Sequence, residues 1–440
     1  MNVGFVSLGC SKNLVDTEMM IGMFKQNKYS IVNNPRKADI IVINTCGFIE
    51  PAKEEAINTI LEMAEYKNLR CKYLIVTGCL VQRYKEELEK SIPEVDLFIS
   101  IKDYESICKI LQQEGIFKND ENDYNKSLEY FDREISTGSN MAYLKIAEGC
   151  SNGCTYCAIP YIRGRFISRP MEEILCEAEQ IAKKGIKEVV VIAQDTGKYG
   201  LDLYKEQKLP ELLDNLCKIE GIEWIRFLYT YPETISDELI EVVKKNEKIC
   251  KYFDIPIQHI SDNVLKKMHR KSNEKSIYEL LEKLRKEIPD VIIRTSLIVG
   301  FPGETEEDFE KLYRFVKNIE FDRMGTFMYS KEDGTAAARF PNQVHGNTKK
   351  SRYNKIMTLQ KEISEKKGKE KVGKVYTVLI ENKSFDGNYL IGRTYMDVPD
   401  EDGVVYIKND TDKNYIGEFV DVKITDYSNY DLVGEIFTKK

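Results

Sequence analysis

Apolar residues in the first 115 positions come in short unbroken runs: "NVGFVSLG", "ADIIVINT", "KYLIVTG" and "DLFISI". Strands covered on both faces have this pattern, whereas a half-exposed strand alternates. Residues 50–66 and 83–91 repeat apolar positions at helical spacing between these runs. Residues 1–115 are therefore predicted to form a parallel sheet flanked by helices. Residues 116–138, "IFKNDENDYNKSLEYFDREISTG", are polar and read as a linker or long excursion.

A second series follows, with strands expected at "AYLKIAEG", "KEVVVIAQD", "WIRFLYT", "YFDIPIQH", "VIIRTSLIVG" and "RMGTFMYS". Six consecutive βα units from about 141 to 330 point to an open, partial barrel rather than a closed eight-stranded one. Residues 348–374 hold ten Lys or Arg against three Glu and read as a solvated connecting helix, which closes a unit spanning 139–370. From there the pattern alternates between turns such as "FDGN" and "DEDG", so residues 371–440 are expected to form a small antiparallel β-barrel. The fold class is α/β with this all-β appendage, and no internal repeat is visible.

Composition narrows the picture. A chain of 440 residues with 42% hydrophobic content suits two or three globular domains. No apolar run approaches the roughly 20 residues of a membrane span. The start "MNVGFVSLGCSKN" lacks an export pattern, so a cytoplasmic protein without membrane partners is expected. Eleven cysteines argue for reduced thiols, some of them metal ligands, and a net charge of −7 makes no general case for nucleic-acid binding.

The chemistry lies in "KIAEGCSNGCTYCAIPYIRGR", where Cys150, Cys154 and Cys157 place three soft ligands in one loop after a strand. The spacing suits an iron-sulfur cluster better than the paired knuckles of structural zinc, and the missing fourth ligand leaves one iron open to a small molecule. Cys10, Cys46 and Cys79 each stand at the carboxyl end of a predicted strand, "VSLGC", "VINTC" and "VTGC", where ligand sites collect in parallel sheets. They could converge on a second cluster or be unrelated. Cys71, Cys108, Cys176, Cys217 and Cys250 sit in or beside helical patterns as small apolar fillers. From the residues alone, a catalyst and a non-catalytic electron carrier or sensor both remain open, with the two incomplete ligand sets favouring catalysis.

Across essentially the whole chain, "SLGCSKNLVDTE", "INTCGFIEPAKEEAI", "TGCLVQRY", "EGCSNGCTYCAIPYIRGRFISRP", "DIPIQHISDNVLKKMHR" and "IVGFPGETEEDF" resemble the methylthiotransferase family of radical S-adenosylmethionine (SAM) enzymes. The resemblance implies an N-terminal domain with an auxiliary 4Fe-4S cluster on Cys10, Cys46 and Cys79. It further implies a radical SAM barrel with a 4Fe-4S cluster on Cys150, Cys154 and Cys157, and a C-terminal TRAM domain. "SLGCSKNLVDTE" and the pair Gln258-His259 are similar to the branch that modifies an aspartate β-carbon of small-subunit ribosomal protein S-twelve. The tRNA branch more typically has Gln-Met-Asn after its first cysteine and Gln-Ser in place of Gln-His, and Ser11 departs from the proline common in the ribosomal branch. The implied reaction uses one SAM to methylate sulfur at the auxiliary cluster and a second to generate a 5'-deoxyadenosyl radical, with electrons from a low-potential donor such as flavodoxin or ferredoxin.

Several residues invite roles around this chemistry. Tyr156 could flank SAM or simply pack. Gly300 and Gly303 could let backbone approach the adenine or only form a tight turn. Arg163, Arg165 and Arg169 could bind a carboxylate, although surface or ion-paired roles are commoner, and His259 reads as a core histidine. No separate acid or base is assigned. Residues 372–440 hold eight Lys and Arg against thirteen Asp and Glu, net −5. That balance argues against a nucleic-acid grip and for a basic protein partner, with the run Asp400-Glu401-Asp402 expected to face it and the whole domain expected to be dispensable for SAM cleavage.

Overall fold

The computed structural model describes residues 1–117, 132–138, 140–409 and 413–437. Its first unit is a parallel sheet ordered β2-β1-β3-β4-β5, with β1 Asn2–Ser7, β2 Ser30–Ile31, β3 Ile40–Thr45, β4 Tyr73–Gly78 and β5 Leu97–Ile99. All six residues of β3 are buried, which is why the run is uniformly apolar. Helices α1 Ser11–Gln26 and α4 Ile107–Gln113 cover one face, and α2 Glu50–Ala64 and α3 Cys79–Ser91 the other. Helix α1 is buried on nearly every side, because the side turned away from its own sheet meets the next unit, where Val15 packs with Met141 and Val190.

All six runs expected in the second unit are strands: β6 Met141–Lys145, β9 Glu188–Ile192, β10 Trp224–Phe227, β11 Tyr252–Gln258, β12 Ile292–Val299 and β13 Arg323–Met328. They form two parallel three-stranded sheets, β10-β9-β6 and β11-β12-β13, joined among the described residues by the bridge Ile225↔Ile249, so the barrel is open. An antiparallel pair, β7 Ala147–Glu148 with β8 Ile167–Ser168, pins the ends of the cysteine loop. The outer layer holds α5 Ile159–Arg163, α6 Met171–Lys183, α7 Leu209–Cys217, α8 Asp237–Lys245, α9 Asp262–Lys267, α10 Glu274–Glu287 and α11 Glu306–Ile319. Helix α12, Gly346–Lys371, differs from the solvated connector expected: Ile356, Leu359 and Ile363 join the barrel core, Lys349 and Lys367 bond the Tyr329 carbonyl and Asp322 of the barrel, and Lys350, Lys361 and Lys369 face solvent.

The expected linker is also more than a tether. Residues 118–131 lie outside the described residues, but Arg133 is fully buried, donating to Glu18 of α1, to Glu177 of α6 at 2.7 Å and to the Tyr143 carbonyl.

The last unit is a closed barrel ordered β14-β15-β16-β18-β17, with β14 Val375–Lys383, β15 Tyr389–Arg393, β16 Val405–Lys408, β17 Phe419–Ser428 and β18 Asp431–Ile436. It is mixed rather than purely antiparallel, since β16 runs parallel to β18. Its β15–β16 loop enters the open side of the larger barrel, where Met396 and Val398 share a core with Leu228, Tyr252 and Ile292. Arg393 donates to Glu188 and Glu381, each at 2.6 Å, and Arg226 donates to Glu188 at 3.0 Å, with Arg393, Arg226 and Glu188 fully buried and Glu381 half-buried. The acidic run does not face outward as a unit. Glu401 pairs with Arg294, and Asp402 accepts from the Tyr252 hydroxyl at 2.7 Å, which leaves Asp400 turned to solvent.

Candidate active site

Neighbouring strands deliver the first trio to one sheet edge. Cys10 follows β1 at the position just before α1, Cys46 follows β3, and Cys79 opens α3 directly after β4. Glycines permit the approach. At Gly9, φ +87°, a Cβ would lie 3.0 Å from the Cys46 sulfur, and at Gly78, φ +104°, it would collide with the Thr45 carbonyl at 2.3 Å. Cys79 Sγ lies 3.5 Å from Asn13 Oδ1, which accepts from Arg163 Nη2 at 2.6 Å. Burial pushes the Cys79 thiol up to about 12 and raises that of Cys46, while Cys10 stays exposed.

The second trio lies between β7 and α5. The Cys150 N–H donates to the Gly164 carbonyl at 3.1 Å, and the Cys157 N–H to the Cys154 carbonyl at 3.1 Å, which winds the loop upon itself. Burial pushes the Cys157 thiol up to about 12, and the Ile159 N–H donates to its sulfur at 3.5 Å. Tyr231 Oη and Arg270 Nη1 approach Cys154 Sγ at 4.0 and 3.9 Å, and the Arg270 guanidinium lies 4.0 Å from the Tyr231 ring centre. Tyr231 does not stand out in the sequence, and Arg270 does so only as the last residue of "DIPIQHISDNVLKKMHR". The remaining five cysteines are buried or half-buried and distributed among the packed layers.

These donors fit iron-sulfur clusters. Thiols that burial holds neutral become ligands once a cation replaces the lost water, and N–H groups aimed at sulfur tune such sites. Among the described residues no three His, Cys, Asp or Glu side chains form a ready single-ion site, so the fit rests on donor chemistry.

A buried ion-pair seam joins the two trios. Arg163, on α5, donates to Asp16 and to Glu148, each at 2.9 Å, besides Asn13, and Lys145 donates to Asp16 at 2.6 Å and Glu148 at 2.9 Å. Arg163 thus serves the ion-paired role. Arg169 does likewise, bonded to the Lys145 carbonyl and Glu177 at 2.6 Å each, whereas Arg165 is exposed. His259 is fully buried at the end of β11 with Nδ1 accepting from the Ser261 N–H at 3.0 Å, a core histidine whose Nε2 nevertheless has no partner.

Tyr156 packs beside Phe301 and Met268 with its hydroxyl within reach of the Cys154 sulfur. Gly300 follows β12 at φ +72°, and its N–H donates to Glu304. The Lys349 stem fills the space a side chain would need, and Lys267 does so at Gly303. Both glycines make the tight turn.

A partial parallel barrel with a three-cysteine loop after its first strand defines the radical SAM class, and residues 144–316 match the Radical SAM superfamily. Residues 2–100 match the uncharacterized protein family UPF0004, and residues 372–437 match the TRAM domain. Among solved structures, the radical SAM methyltransferase TsrM from Kitasatospora setae aligns at TM-score 0.54 and 12% identity over 74% of each chain. The cobalamin-dependent OxsB aligns at 0.53 and 13% over 83% of this chain and 56% of that one. These likenesses speak to the fold. The chain is 64% identical to the ribosomal protein uS12 methylthiotransferase RimO of Alkaliphilus oremlandii over the full length of both. It is 53% identical to that of Acetivibrio thermocellus over 99% of this chain and 98% of the other. The chain belongs to the RimO family of radical SAM methylthiotransferases, enzymes that work with SAM and iron-sulfur chemistry.

Proposed function

We propose that this protein replaces a hydrogen on the β-carbon of one aspartate of ribosomal protein uS12 with a methylthio group, using one 4Fe-4S cluster on Cys150, Cys154 and Cys157 and another on Cys10, Cys46 and Cys79. The observation that carries the reading is the seam through Arg163, which ties the segments bearing two incomplete thiol sets from separate units to one another. Bound there, SAM and the clusters would supply the radical that removes the hydrogen and the methylated sulfur that takes its place.

The chain's own residues would bind and orient. Asn152 donates to Asp195 at 2.8 Å, leaving Asp195 Oδ1 a buried acceptor without a partner, suited to an ammonium such as that of SAM. Tyr156 would flank SAM beside Cys154, and the turn at Gly300 would bound its adenine end. Arg270 holds positive charge against Cys154 and is fixed by its bond to the Pro256 carbonyl at 2.8 Å. Burial of Cys79, Cys150 and Cys154 keeps water from the reacting groups. No helix of the described residues is long and apolar enough to cross a membrane. A low-potential donor such as flavodoxin or ferredoxin would supply the electrons.

The test is mass spectrometry of uS12 and of tRNA after anaerobic incubation with SAM and a reductant. A methylthio gain on the uS12 aspartate is expected; modification of a tRNA adenosine instead, with uS12 untouched, would replace this reading by the tRNA branch.

A further inference from the structure

Lys12 occupies the first turn of α1, two residues beyond Cys10, and is only 5% exposed. Its ammonium sits 3.2 Å from the centre of the Tyr229 ring, and among the described residues no carboxylate forms an ion pair with it. The nearest acids are engaged elsewhere. Glu401 pairs with Arg294, and Asp254 accepts from Arg294 at 3.2 Å and from the Tyr229 N–H at 3.0 Å. A buried ammonium held by a ring face alone is costly unless an anion completes it.

Three further observations locate the missing partner. The Ser11 hydroxyl is buried without a partner beside Lys12. The Cys10 side chain does not cap α1, so the amides of the first turn stay open to an anion. Tyr229 is held at φ +60°, a strained conformation for an aromatic residue and one that tends to persist where a side chain must be aimed. The space is reachable, since Cys10 is exposed and 34% of the Glu401 side chain is accessible.

We propose that Lys12, backed by the Tyr229 ring, the Ser11 hydroxyl and the open first turn of α1, receives the carboxylate of the side chain being modified. The assignment rests on the proposed function, in which that side chain is an aspartate. Its carboxylate is bonded directly to the reacting carbon, so an anchor two residues from Cys10 sets that carbon beside the auxiliary site. The methionyl carboxylate of SAM has the same chemistry, and the test separates the two.

Holoenzyme carrying Lys12→Met is compared with wild type on full-length uS12 bearing Asp or Asn at the target, reading kcat/KM, affinity for each protein and affinity for SAM. Wild type should favour the Asp form by about tenfold or more, the scale of one charge-assisted hydrogen bond. Lys12→Met should erase that preference in both rate and affinity, and Lys12→Arg should keep most of it. The ratio is taken within one preparation, so partial misfolding cancels. An unchanged Asp preference in Lys12→Met would overturn the assignment, as would a loss of SAM affinity with the preference intact. Wild type that binds and modifies neither form would overturn the proposed function and this assignment together.

Discussion

Arg163 and Asp16 stand 147 positions apart in the chain and meet at 2.9 Å, each almost wholly buried, across the boundary between the two cysteine-bearing units. Removing one partner of such a pair strands a charge, at a cost of about 3–5 kcal/mol. Arg163→Ala should therefore lower the melting temperature and loosen the boundary. Arg163→Lys keeps the charge but cannot span Asn13, Asp16 and Glu148 at once. It should fold, yet yield more 5'-deoxyadenosine per methylthio group inserted than wild type. An unchanged ratio would show that the seam does not align the two centres.

The cysteine trios arise from separate sheets, so their metal content should be separable. Cys154→Ala should lose reductive SAM cleavage, whereas Cys79→Ala should keep it and lose sulfur insertion, each with about half the iron of wild type. Zinc at the Cys10 trio, or about four irons in the unmutated protein, would contradict the two-cluster reading.

His259 sets a pH dependence of stability. Burial holds its imidazole neutral, pushing its pKa down from 6.5 to about 3. Between these values the unfolded chain binds a proton that the folded protein refuses. The contribution is therefore complete above pH 6.5 and is lost progressively as pH falls toward 3. His259→Asn can keep an acceptor for the Ser261 N–H without titrating. Urea midpoints should fall less steeply between pH 6.5 and 4 in the variant than in wild type, and parallel slopes would show that His259 does not control the loss.

Arg393 should matter more to the whole protein than a residue of an appended domain ordinarily would. It is the buried partner of Glu188 at the start of β9, so Arg393→Ala should cost about 3–5 kcal/mol and speed proteolysis within residues 372–437. Deleting residues 372–440 should not leave the intact SAM-cleaving core that composition suggests. Leu228, Tyr252 and Ile292 would lose the cover of Met396 and Val398, and the truncated chain should aggregate. A soluble truncation with full SAM cleavage would refute this account.

Much of this was legible in the sequence for identifiable reasons. Unbroken aliphatic runs announce parallel strands, and strand ends in such sheets share an edge, so Cys10, Cys46 and Cys79 could be paired in thought though far apart. Direction was harder to read. Composition counts the charges of Asp400, Glu401 and Asp402, but only the path of the β15–β16 loop reveals that Glu401 and Asp402 turn toward Arg294 and Tyr252. Arg133 lay in a polar stretch with no periodicity, and its burial depends on Glu18 and Glu177, which no local pattern connects to it. Tyr231 and Arg270 reach Cys154 from two different loops; Arg270 closes the quoted stretch "DIPIQHISDNVLKKMHR", but nothing in the sequence says that it turns toward a cysteine loop more than a hundred positions earlier.

Helix α1 begins at a cysteine of one trio and is clamped farther along by Asp16 to Lys145 of the barrel's first strand. The gap between the two thiol sets is thereby spanned by a single helix. With its carboxylate on the Lys12 anchor, a glutamate would place its γ-carbon where aspartate places its β-carbon, while its backbone would stand one methylene farther out. The anchor would thus select the carbon next to a carboxylate, and discrimination between the two acids would fall to the fit of the substrate backbone.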